Sequence, residues 1–136
     1  MTQTIPTGSA KLLGKTDREI DRHLLSTGAQ KLVQLAGLPA NWDGYNSPPI
    51  APPVLNVASA LLLHIGIDPY DVAPISGGMV GLEWRRADDR IQLWIGERVG
   101  WVMVKHRDGR RIASEGDTAS ADEAKAMVLE IMGDGP

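Results

Sequence analysis

The apolar residues of this chain follow a helical spacing towards both ends and an alternating spacing in between. After a proline-rich stretch they recur every three or four positions, the period of a helix with one buried face. These residues are Leu55, Ala58, Leu61, Leu62 and Ile65. Because proline is tolerated in a first helical turn and glycine favours helix ends, we predict a helix from about Pro53 to Ile65, stopped by Gly66.

Two capping-box sequences predict one helix before this segment and one near the C-terminus. The first box is Thr16-Asp17-Arg18-Glu19, and the apolar stripe after it closes at Gly37. Gly28 interrupts that stripe, so one helix or two short ones fit. The stripe consists of Ile20, Leu24, Leu25, Leu32, Val33 and Ala36. The second box is Ser120-Ala121-Asp122-Glu123, and the inward residues before Gly133 are Ala124, Met127, Val128 and Ile131.

Between these helices, from Val72 to Lys105, apolar and polar residues alternate in the manner of half-buried strands. Turns are predicted at Gly77-Gly78, Ala87-Asp88-Asp89 and Glu97-Arg98. The polar stretch from His106 to Arg111 can return through Ile112 as a short edge strand. The predicted buried face holds Val80, Leu82, Trp84, Ile91, Leu93 and Ile95, which puts Glu83 and Trp94 on the opposite face.

This order of elements predicts an α+β fold, an antiparallel meander of three to five strands covered on one face by helices. A length of 136 residues fits one domain. We place that domain at residues 15–133, after a flexible lead-in over residues 1–14.

Composition excludes several classes of protein. There is no cysteine, which rules out disulfides, thiolate zinc sites and a cysteine nucleophile. The start lacks the basic and apolar segments of a secretory signal, and no apolar run has the length of a membrane span. We therefore expect a cytoplasmic protein without a cofactor. Its net charge of −3 does not by itself indicate nucleic-acid binding.

The stretch from Asn41 to Pro49 concentrates aromatic and turn-forming residues in a chain that has only four Trp and two Tyr. We interpret it as an ordered loop in which Trp42, Asp43 and Gly44 are structural, since an aspartate before glycine favours a side-chain-capped turn. Tyr45 and Asn46 can project from that base as a recognition surface. Together with Glu83 and Trp94 they are our predicted partner-binding residues.

The string Leu38-Pro39-Ala40-Asn41-Trp42-Asp43-Gly44-Tyr45, the proline-led helix, the Gly77-Gly78 hairpin and Leu82-Glu83-Trp84 carry a resemblance. Together they resemble small uncharacterised bacterial and phage-borne proteins with an N-W-D-G-Y loop and a G-G-x-x-x-L-E-W strand. The resemblance covers about Leu38 to Val104 and departs at Asn46-Ser47 and at Gly81. It implies a fold and a mobile-element or host-conflict setting, and it supplies no catalytic residues.

No catalytic or metal-binding motif stands out. Glu83 is either a solvated strand residue or paired with Arg85 or with a basic partner, and a catalytic role would need a second group such as Asp43 or His64 brought beside it. The histidines, His23, His64 and His106, lack the spacing that places two metal ligands on one helical face. The nucleophile elbow of serine hydrolases is also missing. We therefore predict no catalytic residue and no metal site.

Three functions remain in order of preference. The first is a non-enzymatic protein-binding module, such as an inhibitor, immunity or antitoxin-like factor of a mobile element, and an edge-paired homodimer is compatible with it. The second is a nucleic-acid-binding accessory protein whose basic residues contact phosphates. Those residues are Arg85, Arg86, Arg90, Lys105, Arg107, Arg110 and Arg111. The third is a small hydrolase that uses Asp43, Glu83 and a histidine.

Overall fold

A computed structural model describes residues 26–117 and 119–133 of the chain. In this part the helices are α1 (Thr27–Ala36), α2 (Pro52–Ile65) and α3 (Ala121–Met132). The strands are β1 (Asp71–Ile75), β2 (Met79–Arg86), β3 (Asp89–Ile95), β4 (Val99–Arg107) and β5 (Arg110–Gly116). The predicted lead-in and the first capping box lie outside the described residues.

The strands form one antiparallel sheet in the order β1-β2-β3-β4-β5. The helices pack against β1, β2 and β3 and leave the other face of the sheet uncovered by any described helix. This arrangement confirms the predicted α+β meander. β5 extends over seven residues, which is longer than the short edge strand that we expected around Ile112.

The alternation of β2 and β3 produces the core. Leu82 pairs with Leu93 and Trp84 with Ile91, so their side chains share the face that the helices cover. All six residues predicted for this face are buried. The indole N–H of Trp84 donates to the Ile67 carbonyl oxygen at 2.8 Å, which satisfies the one polar group that this large side chain brings into the core.

The helices complete the core and mostly begin and end where expected. α2 starts at Pro52, with proline in its first turn, and ends at the left-handed Gly66. In α3 the hydroxyl of Ser120 accepts from the Glu123 backbone and the Glu123 carboxylate accepts from the Ser120 backbone, which confirms the second capping box. Among the described residues, no helix combines the length and hydropathy needed to cross a membrane.

Of the inward residues predicted for the first apolar stripe, Leu32 is buried but Val33 and Ala36 are not, while Ile20, Leu24 and Leu25 lie outside the described residues. The helix begins after Ser26, whose hydroxyl accepts from the Ala29 N–H at 3.2 Å, so Gly28 lies in the first turn. Gly28 is buried close to Pro69, so that an added Cβ would lie only 2.9 Å from the Pro69 Cδ. That contact orients the helix with Leu32 and Leu35 inward and Val33, 74% exposed, outward; Ala36 is exposed as well.

We expect Trp84→Ala to lower the free energy of unfolding by about 3–5 kcal/mol, because it leaves a large cavity and an unpaired carbonyl in the core. Urea denaturation of the purified variant measures this loss. Trp94→Ala is the matched control, since removal of a partly exposed tryptophan from the same sheet should cost less than about 1 kcal/mol. Equal losses in the two variants would contradict the assignment of faces.

Candidate functional site

The loop from Asn41 to Pro49 is tied to the β1–β2 turn through the carboxylate of Asp43. Its Oδ2 accepts from the hydroxyls of Ser47 and Ser76, both at 2.6 Å, and its Oδ1 accepts from the Tyr45 N–H at 2.9 Å. The Ser47 hydroxyl in turn accepts from the Gly77 N–H at 3.1 Å. The loop is thus ordered by a network that also holds the hairpin between β1 and β2.

The backbone of the loop needs two left-handed asparagines, residues that adopt this conformation more readily than most. Asn41 and Asn46 have φ angles of 61° and 63°. The Asn41 side-chain oxygen accepts from the Asn46 N–H at 2.8 Å, and the Asn41 N–H donates to the Ser47 carbonyl oxygen at 2.7 Å. These bonds close the loop on itself. Tyr45, 84% exposed, is left at its tip beside the exposed Asn46, where a partner could contact both.

Trp42 is only half-buried and is not part of the core that contains Trp84. Its indole N–H is buried and finds no acceptor among the described residues. The three residues predicted to be structural, Trp42, Asp43 and Gly44, therefore contribute to the loop in different ways. Asp43 holds the loop through hydrogen bonds and Gly44 takes a left-handed φ of 79°, whereas the half-buried Trp42 has no acceptor for its indole N–H among the described residues.

The uncovered face of the sheet carries Trp94, which is 43% exposed, as predicted. Beside it a groove of about 460 Å³ extends across β1, β2 and β3. Ile75, Met79 and Trp94 line the groove, and Gly81 leaves room in it by having no side chain. We call the side of the sheet that no described helix covers, including this groove, the open face. An added Cβ at Gly81 would lie 2.8 Å from the Ile75 Cδ1, so the missing side chain also permits Ile75 to pack there.

A second groove, of about 1120 Å³, meets the first at Met79 and Trp94, which line both. Its other walls are Pro48 and Pro49 of the loop and the neighbouring ends of β4 and β5. Pro48 packs on the hairpin, because a Cβ added at Gly78 would lie 3.1 Å from the Pro48 Cγ. Trp94 therefore stands between two grooves, one of which reaches the loop.

Glu83 lies on the open face, but it is only 9% exposed, so the expectation of a solvated carboxylate was wrong. The alternative, a pair with Arg85, is confirmed: the Arg85 Nε donates to one carboxylate oxygen. The Gln92 amide donates to the other at 3.1 Å. Burial of this carboxylate is tolerated because both oxygens are bonded. The bond to Glu83 also raises the pKa of Arg85, whose guanidinium lies 4.3 Å from the centre of the Tyr70 ring.

The predicted basic residues do not form one free patch. Arg85 is paired with Glu83 and Lys105 with Glu130, while Arg107 donates to Asp89 at 2.8 Å. Arg86 donates to the Met132 carbonyl oxygen at 2.6 Å. Within the described residues, no ion pair engages Arg90, Arg110 and Arg111. Three of the seven, Arg86, Lys105 and Arg107, thus join a strand to another strand or to α3.

The acids and histidines considered for hydrolysis are also separate. His64 contacts Asp122 at 2.8 Å, and His106 contacts Asp89 at 3.2 Å. The bond from Arg107, together with those from His106, lowers the pKa of Asp89 to about 2. Neither Asp43 nor Glu83 hydrogen-bonds a histidine in the described part of the chain, where no group of three or more acids and histidines could hold a metal ion.

Two features of the site were not predicted from the sequence. One is the pair of serines, Ser47 and Ser76, that donate to Asp43; the other is the groove at Gly81. Ser76 lies 33 positions from Asp43, and nothing in the local pattern of either segment announces the contact. Gly81 could have indicated the groove, because a glycine inside a strand often marks a place where another group approaches the backbone closely.

The chain matches no protein-family model, and neither a curated protein nor a solved structure gives a significant match. The resemblance to the N-W-D-G-Y proteins consequently stays a prediction.

The hydroxyl bonds from Ser47 and Ser76 hold the pKa of Asp43 well below its ordinary value of 3.8. A carboxylate whose pKa is lower in the folded than in the unfolded state stabilises the fold at pH values above its unfolded-state pKa. This stabilisation is lost as the pH falls from there through the folded-state pKa. We expect Asp43→Asn to lower the melting temperature at neutral pH and to make its decline in acid shallower than in the wild type. Thermal denaturation followed by circular dichroism across the acid range measures both effects.

The control for this change is Asp88→Asn, which alters an exposed aspartate in the β2–β3 turn and should keep the wild-type acid profile. Identical profiles for Asp43→Asn and the wild type would show that the carboxylate does not support the loop.

Trp42→Phe should leave the free energy of unfolding unchanged or raise it by up to about 1 kcal/mol, because phenylalanine keeps most of the packing and removes a buried donor without an acceptor. Trp42→Ala should destabilise, but by less than Trp84→Ala. Urea denaturation compares the three variants. A loss above about 1 kcal/mol in Trp42→Phe would mean that the indole N–H is bonded.

Proposed function

We propose that this protein is a non-enzymatic protein-binding module that uses the open face of its sheet, with Trp94 as the central anchor. The observation that carries the proposal is the position of Trp94 between two grooves that meet at its side chain and at Met79. Tryptophans in such positions often dominate the energy of protein interfaces, since they bury a large area at little entropic cost.

The chemistry of the grooves supports a partner that inserts apolar side chains. The first groove is walled by Ile75, Met79 and Trp94, and its one deeply placed carboxylate, Glu83, is already bonded to Arg85 and Gln92. A partner atom entering there meets apolar surface and gains most by burying its own. The second groove leads to Pro48 and Pro49, so a partner seated on Trp94 reaches the loop that presents Tyr45 and Asn46.

The wider setting is also part of the proposal. The resemblance of the loop implies a mobile-element or host-conflict setting, and in that setting we propose that the binding module is an inhibitor, immunity or antitoxin-like factor that acts in the cytoplasm. Nucleic-acid binding is the weaker alternative, because ion pairs or a carbonyl bond already engage Arg85, Arg86, Lys105 and Arg107. Self-association through a sheet edge is compatible with either function.

Trp94→Ala should reduce capture of the native partner at least tenfold, since loss of a central tryptophan anchor costs about 2 kcal/mol or more of binding energy. Quantitative mass spectrometry of proteins retained from a host lysate by wild-type and variant baits measures this reduction. Circular dichroism verifies that the variant is folded.

The matched control is Val33→Ala, which truncates an exposed apolar residue on α1, away from the open face, and should retain the wild-type level of the partner. Partners that bind all three baits equally would overturn the proposal. Substrate turnover by the purified wild-type protein would also overturn it. A partner lost above moderate salt and replaceable by nucleic acid would favour the alternative.

A further inference from the structure

In the part of the chain that the structure describes, no element packs extensively along the outer edge of β5. Its residues are exposed except for Gly116, which is half-buried, and β4 is the element that packs extensively on this strand. The opposite edge differs, because β1 is covered in part by α1 and contains Pro74, which lacks a backbone donor. β5 contains no proline, so its outward backbone groups are available to another strand.

The β4–β5 turn determines which backbone groups point outward. Asp108 and Gly109 form a two-residue connection with φ angles of 53° and 74°, and they join the directly paired Arg107 and Arg110. In such a hairpin the flanking pair exchanges backbone hydrogen bonds, and the bonding alternates along the ladder from there. Residues 110, 112, 114 and 116 therefore bond to β4, and residues 111, 113 and 115 point outward.

A hydrogen bond made by β4 independently supports this assignment of inward and outward backbone groups. The His106 N–H donates to the Asp89 carboxylate at 2.8 Å, on the β3 side of the strand. His106 is the register partner of Arg111. Because its N–H points away from β5, His106 does not exchange backbone bonds with Arg111. The N–H and C=O of Arg111 therefore face the free edge.

The sequence of β5 is complementary to itself in the antiparallel direction. About Ala113 as the centre, Arg111 faces Glu115, Ile112 faces Ser114 and Arg110 faces Gly116. The residues that point their backbone outward, Arg111, Ala113 and Glu115, then fall opposite one another and can each exchange both backbone bonds. Opposite charges facing each other across strands add to the stability of such a pairing, whereas like charges weaken it.

The two charged side chains are available for this role. Arg111 and Glu115 are exposed, and neither makes an ion pair with another residue in the part of the chain that the structure describes. They lie on the same face of the sheet as Val102 and Trp94, which follows from the strand register. The small side chain of Ala113 leaves room at the centre, where two copies would approach most closely.

We propose that two copies of this chain pair through β5, antiparallel and centred on Ala113, so that their sheets join into one and Arg111 of each copy meets Glu115 of the other. This interface adjoins the second groove, which Glu115 lines together with Trp94, but the strand pairing and its charge pairs do not depend on the proposed function. Because a single strand pair buries little surface, the dimer forms in a concentration-dependent manner.

Reversal of the charges tests the register. Sedimentation velocity of the wild type, from micromolar to near-millimolar concentration, should show the mass rising towards twice that of the monomer. Arg111→Glu and Glu115→Arg should each shift this rise to at least tenfold higher concentration, because each places two like pairs in the interface. The double variant with both reversals should restore the wild-type behaviour.

A backbone variant provides a second test. Ala113→Pro removes an outward N–H and should abolish association while thermal melting stays cooperative, because proline is tolerated on the free side of an edge strand. Ser114→Pro is its matched control and should unfold the hairpin, since its N–H bonds to β4.

A wild type that stays monomeric throughout, or single reversals that associate as well as the wild type, would overturn the proposal. Failure of the double variant to recover association would reject the register. A dimer that is lost in Trp94→Ala but not in Arg111→Glu would place the interface on the open face and overturn it as well.

Discussion

The pairing of β2 with β3 is the constraint on which the rest of the structure depends. In this register Leu82 lies opposite Leu93 and Trp84 opposite Ile91, and the helices cover all four side chains. A shift of one residue would turn every side chain to the other face. It would expose Trp84 and bring Trp94 towards the helices, so the same pairing that fills the core also places a tryptophan on the open face.

The Asp43 network is a second constraint, and it connects the loop to that sheet. Its carboxylate holds Ser47 within the loop and Ser76 in the β1–β2 turn. Since Pro48 and Pro49 follow Ser47 directly, the network also positions the two prolines that line the second groove. The surface around Trp94 therefore combines strand residues, set by the register, with loop residues, set by hydrogen bonds to one aspartate.

The elements of this fold were predictable from the sequence because their signals are local. Alternation placed Trp84 inside and Trp94 outside, and the capping box at Ser120 marked the start of α3. Burial was harder to predict where it depends on distant partners. Glu83 is buried because Arg85 and Gln92 bond both of its oxygens, and Gln92 comes from the next strand. Likewise, the orientation of α1 depends on the contact of Gly28 with Pro69, which the spacing of its apolar residues does not reveal.

Charged residues of the sheet are paired or hydrogen-bonded where α3 packs on it and unpaired, among the described residues, at its free edge. Near α3, Lys105 contacts Glu130 and Arg86 bonds to the Met132 carbonyl oxygen, so these cations join the sheet to the helix. At the free edge no described helix packs extensively on β5, and no described residue neutralises Arg111 or Glu115. Charges without partners on an edge strand ordinarily discourage pairing with other strands. In the β5 pairing that we propose, Arg111 of each copy would meet Glu115 of the other. The same exposed charges that discourage pairing with strands that place like charges opposite them would then favour a second copy.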